Sequence, residues 1–518
     1  MGSCFSSDSK APRADDIRCM NPILRTTARI LNGQDFKRIH ARCQRTGEEF
    51  VDPTFPPTNR SLGVSDNSSG DLEWIRASEL SNNPKFFVDG ASRFDINQGE
   101  LGDCWLLAAM QSLAMNKSLL YKVVPKNQTF DGSGCFKFKF WQFGEWVDVV
   151  IDDYLPTKRG TLAFTHSKPR NEFWTALLEK AYAKLNGSYE ALNGGFMGEA
   201  WTSFTGGVAE MFELNNPPND LFGIMKTAYA NQAVMGCFIL DDELSDAELD
   251  SVGLIKHHAY SITKIVEEFV TTSFGYKKVS LIRIKNPWGK VEWNGPWSDG
   301  SKEWNSIPER EKDRIGLKFD DDGEFFMSFE DFQQYWTNLE IGHISSPSNL
   351  DDHRFGVARP NFHVETFQGQ WIRGKTAGGC RNFTNSFPTN PQYQINIMGN
   401  EEQAKQSVVI ISLIQKGNRK LLQKNGLRIG FELYHVENKE YIKMRLKEKA
   451  SLNKKFFQNR RPENSYSNCV AFSQVQEVVS RFMLKPGRYC VVPSTFHPKQ
   501  EGGFLLRMFS ENQLVTEF

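Results

Sequence analysis

The chain has 518 residues, too many for one ordinary hydrophobic core, so it divides into roughly two to four domains. Its 62 basic and 62 acidic side chains cancel, which excludes a global field for nucleic acid, and no apolar run is long enough to span a bilayer. Nine cysteines at irregular spacing argue against a disulfide scaffold or a zinc site and fit a reducing, cytoplasmic compartment.

The first residues read MGSCFS. Gly2 after the initiator Met, with Ser6 four positions on, matches the N-myristoylation pattern, and Cys4 beside it is a palmitoylation candidate. Two acyl chains are what stable membrane anchoring requires. Residues 1–33 read as a flexible leader. From Asp35 to Glu48 the apolar spacing predicts a short amphipathic helix, and an irregular segment rich in Pro, Ser, Asn and Gly follows.

The stretch QGELGDCWLLAAMQSL, Gln98 to Leu113, is a glycine-bearing loop that turns into an apolar helix, with Cys104 on the boundary. A thiol in a helix's first turn faces unpaired N–H groups and the positive end of the dipole, which favour a thiolate. Gln98 would set a side-chain amide beside the oxyanion formed when that sulfur attacks a carbonyl. Taken alone, a cysteine capping a core helix is usually structural.

Downstream residues change that balance. A strand pair, FKFKFW and EWVDVVIDDYLP, and a core helix, EFWTALLEKAYAKL, complete a first lobe over 34–195. A second lobe, 196–345, becomes strand-rich through AVMGCFIL, GLIKHHAYSITKIV and VSLIRIKNPWG. It carries His257 and His258, about 150 residues beyond Cys104, and Asn286 at a strand end before Pro287. An Asn there accepts the imidazole N–H and sets its tautomer without a second charge. If both histidines lie in a strand, alternation turns only one of them toward Cys104. The remaining chain, 352–512, has short strands at regular intervals and reads as an antiparallel β-sandwich.

Gln98, Gly-Asp-Cys-Trp at 102–105, His-Ala-Tyr-Ser at 258–261 and Asn-Pro-Trp-Gly at 286–289 together resemble the calpain family of calcium-dependent cysteine proteases. The blocks Asn171–Gly195, Asp321–Phe332 and Trp371–Phe383 are similar again, and the resemblance covers roughly Asp35 to Ser510. It implies an α+β fold, a two-lobed papain-like cysteine protease core followed by a C2-like β-sandwich. It also implies catalysis by Cys104, His258 and Asn286 with Gln98 in the oxyanion hole, and Trp288 as a wedge that leaves the cleft when calcium binds. His-Ala-Tyr assigns the base to His258, and Lys285 stands where an Arg is common.

The same resemblance implies two calcium sites. One would use Asp95 and Glu172 with backbone oxygens of Val88 and Gly90. The other would use Glu292, Asp299, Asp322 and Glu324 with a backbone oxygen of Asp320. Arg93 and Glu324 resemble an inter-lobe ion pair. Four carboxylates gathered without metal repel one another, so these loops should be loose when empty. Residues 318–329 are not an EF-hand, because Lys318 and Phe329 would hold its first and last ligand positions. The chain ends before the penta-EF-hand domain of classical calpains, so no small regulatory subunit is expected.

The function so implied is limited proteolysis of protein substrates by thiolate acyl transfer. The alternative is a catalytically idle, calcium-responsive membrane adaptor. A basic stretch with Lys447, Lys449, Lys454, Lys455, Arg460 and Arg461 offers a membrane surface a second contact beside the acylated terminus.

Overall fold

The computed structural model describes residues 28–65, 71–240, 244–272, 275–344, 362–399, 406–437, 451–464 and 472–516. Gly2, Cys4, Lys447 and Lys449 lie outside them. Of the other basic residues in that stretch, Arg460 pairs with Glu437 at 2.7 Å and Lys454 hydrogen-bonds Asn385. Among the described residues no helix is long and apolar enough to cross a membrane.

The N-terminal part holds two small sheets. One orders β1 (Arg29–Ile30), β4 (Glu145–Asp152) and β3 (Cys135–Gln142); the other orders β2 (Leu72–Arg76), β5 (Tyr154–Lys158) and β6 (Thr161–Leu162). The same part holds the helix Cys104–Met115, in which every residue from Trp105 to Ala114 is buried. A helix apolar all round has no solvent face to keep, so it becomes the centre of its domain. It stops at Asn116, whose side chain accepts from Leu119 N–H at 3.2 Å and so caps the next helix. The expected helices appear at Phe36–Thr46 and Trp174–Asn186.

The second part is one antiparallel sheet in the order β11-β10-β9-β8-β12-β7. Its strands are β7 (Val208–Glu213), β8 (Val234–Phe238), β9 (Ala259–Thr272), β10 (Gly275–Lys285), β11 (Glu324–Ser328) and β12 (Asn338–His343). The Cys104 helix packs on its inner face, where Val234, Phe238 and Ala259 join the apolar cluster of the first part. Ser261 of β9 donates to Gln111 of the helix at 3.2 Å.

The third part is a sandwich of two four-stranded antiparallel sheets. One is β13 (His363–Trp371), β19 (Gly502–Ser510), β15 (Ser407–Gln415) and β17 (Glu477–Leu484); the other is β16 (Ile429–His435), β18 (Gly487–Thr495), β14 (Tyr393–Ile397) and β20 (Leu514–Thr516). Val409, Ile411 and Leu413 point into its core, as strand alternation requires. Ile410 and Ile414 face the other way and pack with Val208 of the second part and Trp141 of the first. Strand β15 is therefore buried on both faces. The α+β architecture is the one the sequence implies, a two-lobed papain-like core followed by a β-sandwich.

Candidate active site

Asn286 sits where β10 ends, and its backbone N–H donates to Gly323 O at 2.8 Å. Its Nδ2 donates to Lys290 O at 2.8 Å and to Val291 O at 3.1 Å, which leaves Oδ1 as the acceptor. That oxygen receives His258 Nε2 at 2.8 Å and Trp288 N–H at 3.0 Å. The imidazole proton is thus held on Nε2, and Nδ1 is left as the basic nitrogen. Burial pushes His258 down to about 4, against the hydrogen bond it donates to Asn286, so the ring is neutral at physiological pH.

The two histidines separate for a different reason from the one expected. The strand begins only at Ala259, and His257 lies in the preceding turn with a left-handed backbone, φ 53°, and an exposed side chain. His258 is buried at 4% exposure. Backbone turning selects the buried ring; strand alternation plays no part.

Cys104 begins its helix after Asp103, as the sequence predicts. The expected thiolate is not favoured here. Burial raises the thiol above its ordinary range, outweighing a hydrogen bond from Ala259 N–H, and Asp103 adds repulsion. Among the described residues Cys104 Sγ makes no hydrogen bond to His258. Asp103 is itself buried beside Glu179, and both carboxyls are raised, first by burial. Sequence reasoning missed this acidic pair under the nucleophile, since neither spacing nor composition links residues so far apart.

Gln98 lies in the cleft, but its amide is engaged. Nε2 donates to Leu101 O at 2.8 Å, and Oε1 accepts from Trp288 Nε1 at 2.7 Å. The Trp288 ring is 39% exposed and lies 4.6 Å from the His258 ring centroid to centroid.

Glu172 and Asp95 approach across the 88–95 loop. Glu172 Oε1 accepts from Val88 N–H at 2.6 Å, and Asp95 Oδ2 accepts from Ser92 N–H at 2.5 Å. Gly90 has φ +86°, which lets the loop turn between them. Burial raises Glu172 to about 7, with Asp95 adding repulsion, and Glu172 Oε2 is buried without a partner.

In the other lobe Glu292 Oε1 accepts from Asp322 N–H at 3.1 Å and Gly323 N–H at 2.6 Å. Asp299 is raised to about 7 by burial and then by Glu292, Asp322, Asp320 and Glu324, and its Oδ2 is likewise buried without a partner. Orphaned, mutually repelling carboxylate oxygens are what a hard cation would satisfy, so both donor sets fit calcium. They are not drawn together in this arrangement: among the described residues no three His, Cys, Asp or Glu side chains converge on a metal position.

Glu324 turns instead to arginine. Arg93 grips it through Nε at 3.1 Å and Nη2 at 3.0 Å, and Arg283 Nε lies 3.4 Å away. The Arg93–Glu324 pair expected between the lobes is present; Arg283 is an addition. Lys285 has more consequence than its sequence suggests. It is buried and donates through Nζ to Asp322 O at 2.6 Å, tying the acidic loop to the strand that carries Asn286.

Residues 50–343 match the family model described as calpain family cysteine protease, and residues 367–509 match calpain large subunit, domain III. Calpain-A of Drosophila melanogaster is 46% identical over 489 residues, covering 93% of this chain and 58% of the relative. Calpain-B of the same species is 46% identical over 488 residues, with 92% and 52% covered. Calpain-9 of Homo sapiens is 45% identical over 492 residues, with 94% and 68% covered. The chain thus spans between half and two thirds of the length of the two Drosophila relatives.

Proposed function

The chain belongs to the calpain family of cysteine proteases, and we propose that it is a calcium-activated intracellular endopeptidase making limited cuts in protein substrates. The observation that carries this reading is the His258–Asn286 pair at 2.8 Å, which leaves a neutral imidazole with a free basic nitrogen in the cleft of the Cys104 helix.

Cys104 Sγ attacks the scissile carbonyl carbon while its proton passes to His258 Nδ1. The oxyanion is held by the Cys104 backbone N–H and the Gln98 amide. His258 then gives the proton to the departing amine, and a thioester forms between Cys104 and the acyl half. Water, deprotonated by His258, attacks that thioester and frees the acid and the thiol. Asn286 keeps the ring oriented through both halves.

Calcium would be held by Asp95 and Glu172 with Val88 and Gly90 carbonyls, and by Glu292, Asp299, Asp322 and Glu324 with the Asp320 carbonyl. Its contribution there is to neutralise the opposed carboxylates and order the loops that bear them. What supports a link to catalysis is Gly323, whose carbonyl receives Asn286 N–H and whose own N–H donates to Glu292. The acidic loop and the orienting Asn are bonded to one residue, Gly323. Trp288 belongs to this switch, since it occupies both Gln98 and the face of His258.

The test is casein cleavage across a calcium titration, parent against Cys104→Ser. Calcium-dependent cleavage lost in the variant supports the reading. Cleavage at full rate in chelator would remove calcium from it. No cleavage by folded parent at any calcium level would favour the idle adaptor.

A further inference from the structure

We propose that Arg419, in the β-sandwich, is a positioning residue for Cys104: it fixes the 191–195 loop that holds the nucleophile's turn on both sides. The proposal rests on the cysteine-protease reading above. Arg419 opens a short helix, Arg419–Asn425, capped by Asn418, whose Oδ1 accepts from Leu421 N–H at 3.0 Å. The side chain leaves the sandwich and is buried, 8% exposed, in the first protease lobe.

There its guanidinium has three partners and a platform. Nε donates to Ala191 O at 2.9 Å, Nη2 donates to Gly194 O, and Nη1 pairs with Glu199. The guanidinium carbon lies 4.5 Å from the centroid of the Trp105 ring. Gln423, one turn along, adds a bond to Ala191 O at 3.2 Å.

The loop so held is bonded to the residues flanking Cys104. Gly194 N–H donates to Gly102 O at 2.8 Å, and Gly102 N–H donates to Asn193 Oδ1 at 3.0 Å. Trp105 Nε1 donates to Leu192 O at 2.8 Å. Gly195 has no side chain to intervene: a Cβ there would stand 2.6 Å from the Trp105 ring and 3.0 Å from Arg419 Nη2. The loop thus grips positions 102 and 105, while Arg419 holds the loop's outward carbonyls at 191 and 194. Only a planar fork reaches two carbonyls and an aromatic face at once, so lysine cannot substitute.

The experiment uses the full chain with calcium and two readouts, hydrolysis of a fluorogenic peptide and alkylation of Cys104 by iodoacetamide followed by mass spectrometry. In Arg419→Ala and Arg419→Lys, kcat and the alkylation rate should fall at least about tenfold, inside the hundredfold that a misplacement of roughly 1 Å costs. Millimolar guanidinium should restore part of both rates in Arg419→Ala. Glu199→Gln removes the outer ion pair and leaves the Ala191 and Gly194 bonds. It should lower the unfolding midpoint yet keep both rates within about twofold of the parent, since a lost partner outside the loop costs stability first.

Parent-like rates in Arg419→Lys, or equal losses in Glu199→Gln and Arg419→Ala, would overturn the assignment by showing that the contact serves stability alone. A parent whose Cys104 alkylates but which cleaves no peptide would sink the protease reading, and the alkylation comparison would still decide the role of Arg419.

Discussion

Trp288 donates its indole N–H to Gln98 Oε1 at 2.7 Å, joining the wall that carries His258 to the residue that would bind the oxyanion. Gln98 also gives one of its two Nε2 hydrogens to Leu101 O, so both ends of its amide are tied into the cleft wall. The same indole lies against His258, whose burial holds it neutral. One aromatic side chain therefore touches both Gln98 and His258, the two residues through which the proposed switch would act.

Replacing Trp288 by Ala should release both at once. In chelator, alkylation of Cys104 by iodoacetamide should rise roughly fivefold, the factor that one hydrogen bond of about 1 kcal/mol is worth. Trp288→Phe keeps the ring but drops the N–H, so it should give part of that rise. An unchanged rate in both variants would mean that Trp288 covers the site without holding it.

Much of this arrangement is legible in the sequence because its cues are local. A glycine loop before an apolar run announces the Cys104 helix, and an Asn-Pro after a β-branched strand announces the turn that fixes Asn286. The sandwich is legible from strand alternation, although β13 lacks regular alternation and β14 and β20 are too short to stand out. What sequence cannot carry is electrostatics between distant segments. The raised thiol depends on burial, which outweighs a hydrogen bond from the distant Ala259, and the turning of Glu324 toward Arg283 depends on strand register. Arg419 gave no signal at all, since its partners lie more than two hundred residues away in the chain.

Glu172 tests the metal reading apart from catalysis. Its Oε2 is buried without a partner, and Asp95 repels it. Glu172→Gln keeps the shape and removes the charge, so in chelator the unfolding midpoint should rise by a few degrees. Calcium should then raise the midpoint of the parent and do little for the variant, because a ligand stabilises only the folded state that binds it. A calcium-induced shift of the same size in both would take Glu172 out of the ligand set.

The last prediction concerns how the sandwich is fastened to the second lobe. Glu210 of β7 is buried and accepts from Arg481 of β17 through Nε at 2.8 Å and Nη2 at 2.6 Å, while His343 Nε2 lies 2.7 Å from its Oε2. Burial alone would raise this carboxyl; Arg481 and His343 overcome that and bring it down to about 2, below its ordinary value of 4.5. Between those two values the unfolded chain binds a proton that the folded chain refuses. The stability Glu210 contributes is therefore full above pH 4.5 and is lost as pH falls toward 2. Glu210→Gln should cost about 3–5 kcal/mol at neutral pH, because it strands the Arg481 charge in a buried site. It should also flatten the acid limb of the stability profile relative to the parent over that window. Adding Arg481→Met should recover most of the loss, since the stranded charge and not the missing bond dominates the cost. Urea unfolding of the parent and the two variants as a function of pH reads all of this. Equal midpoints for parent and Glu210→Gln would mean that the apolar contacts of Val208 and Ile410 hold the interface without the ion pair.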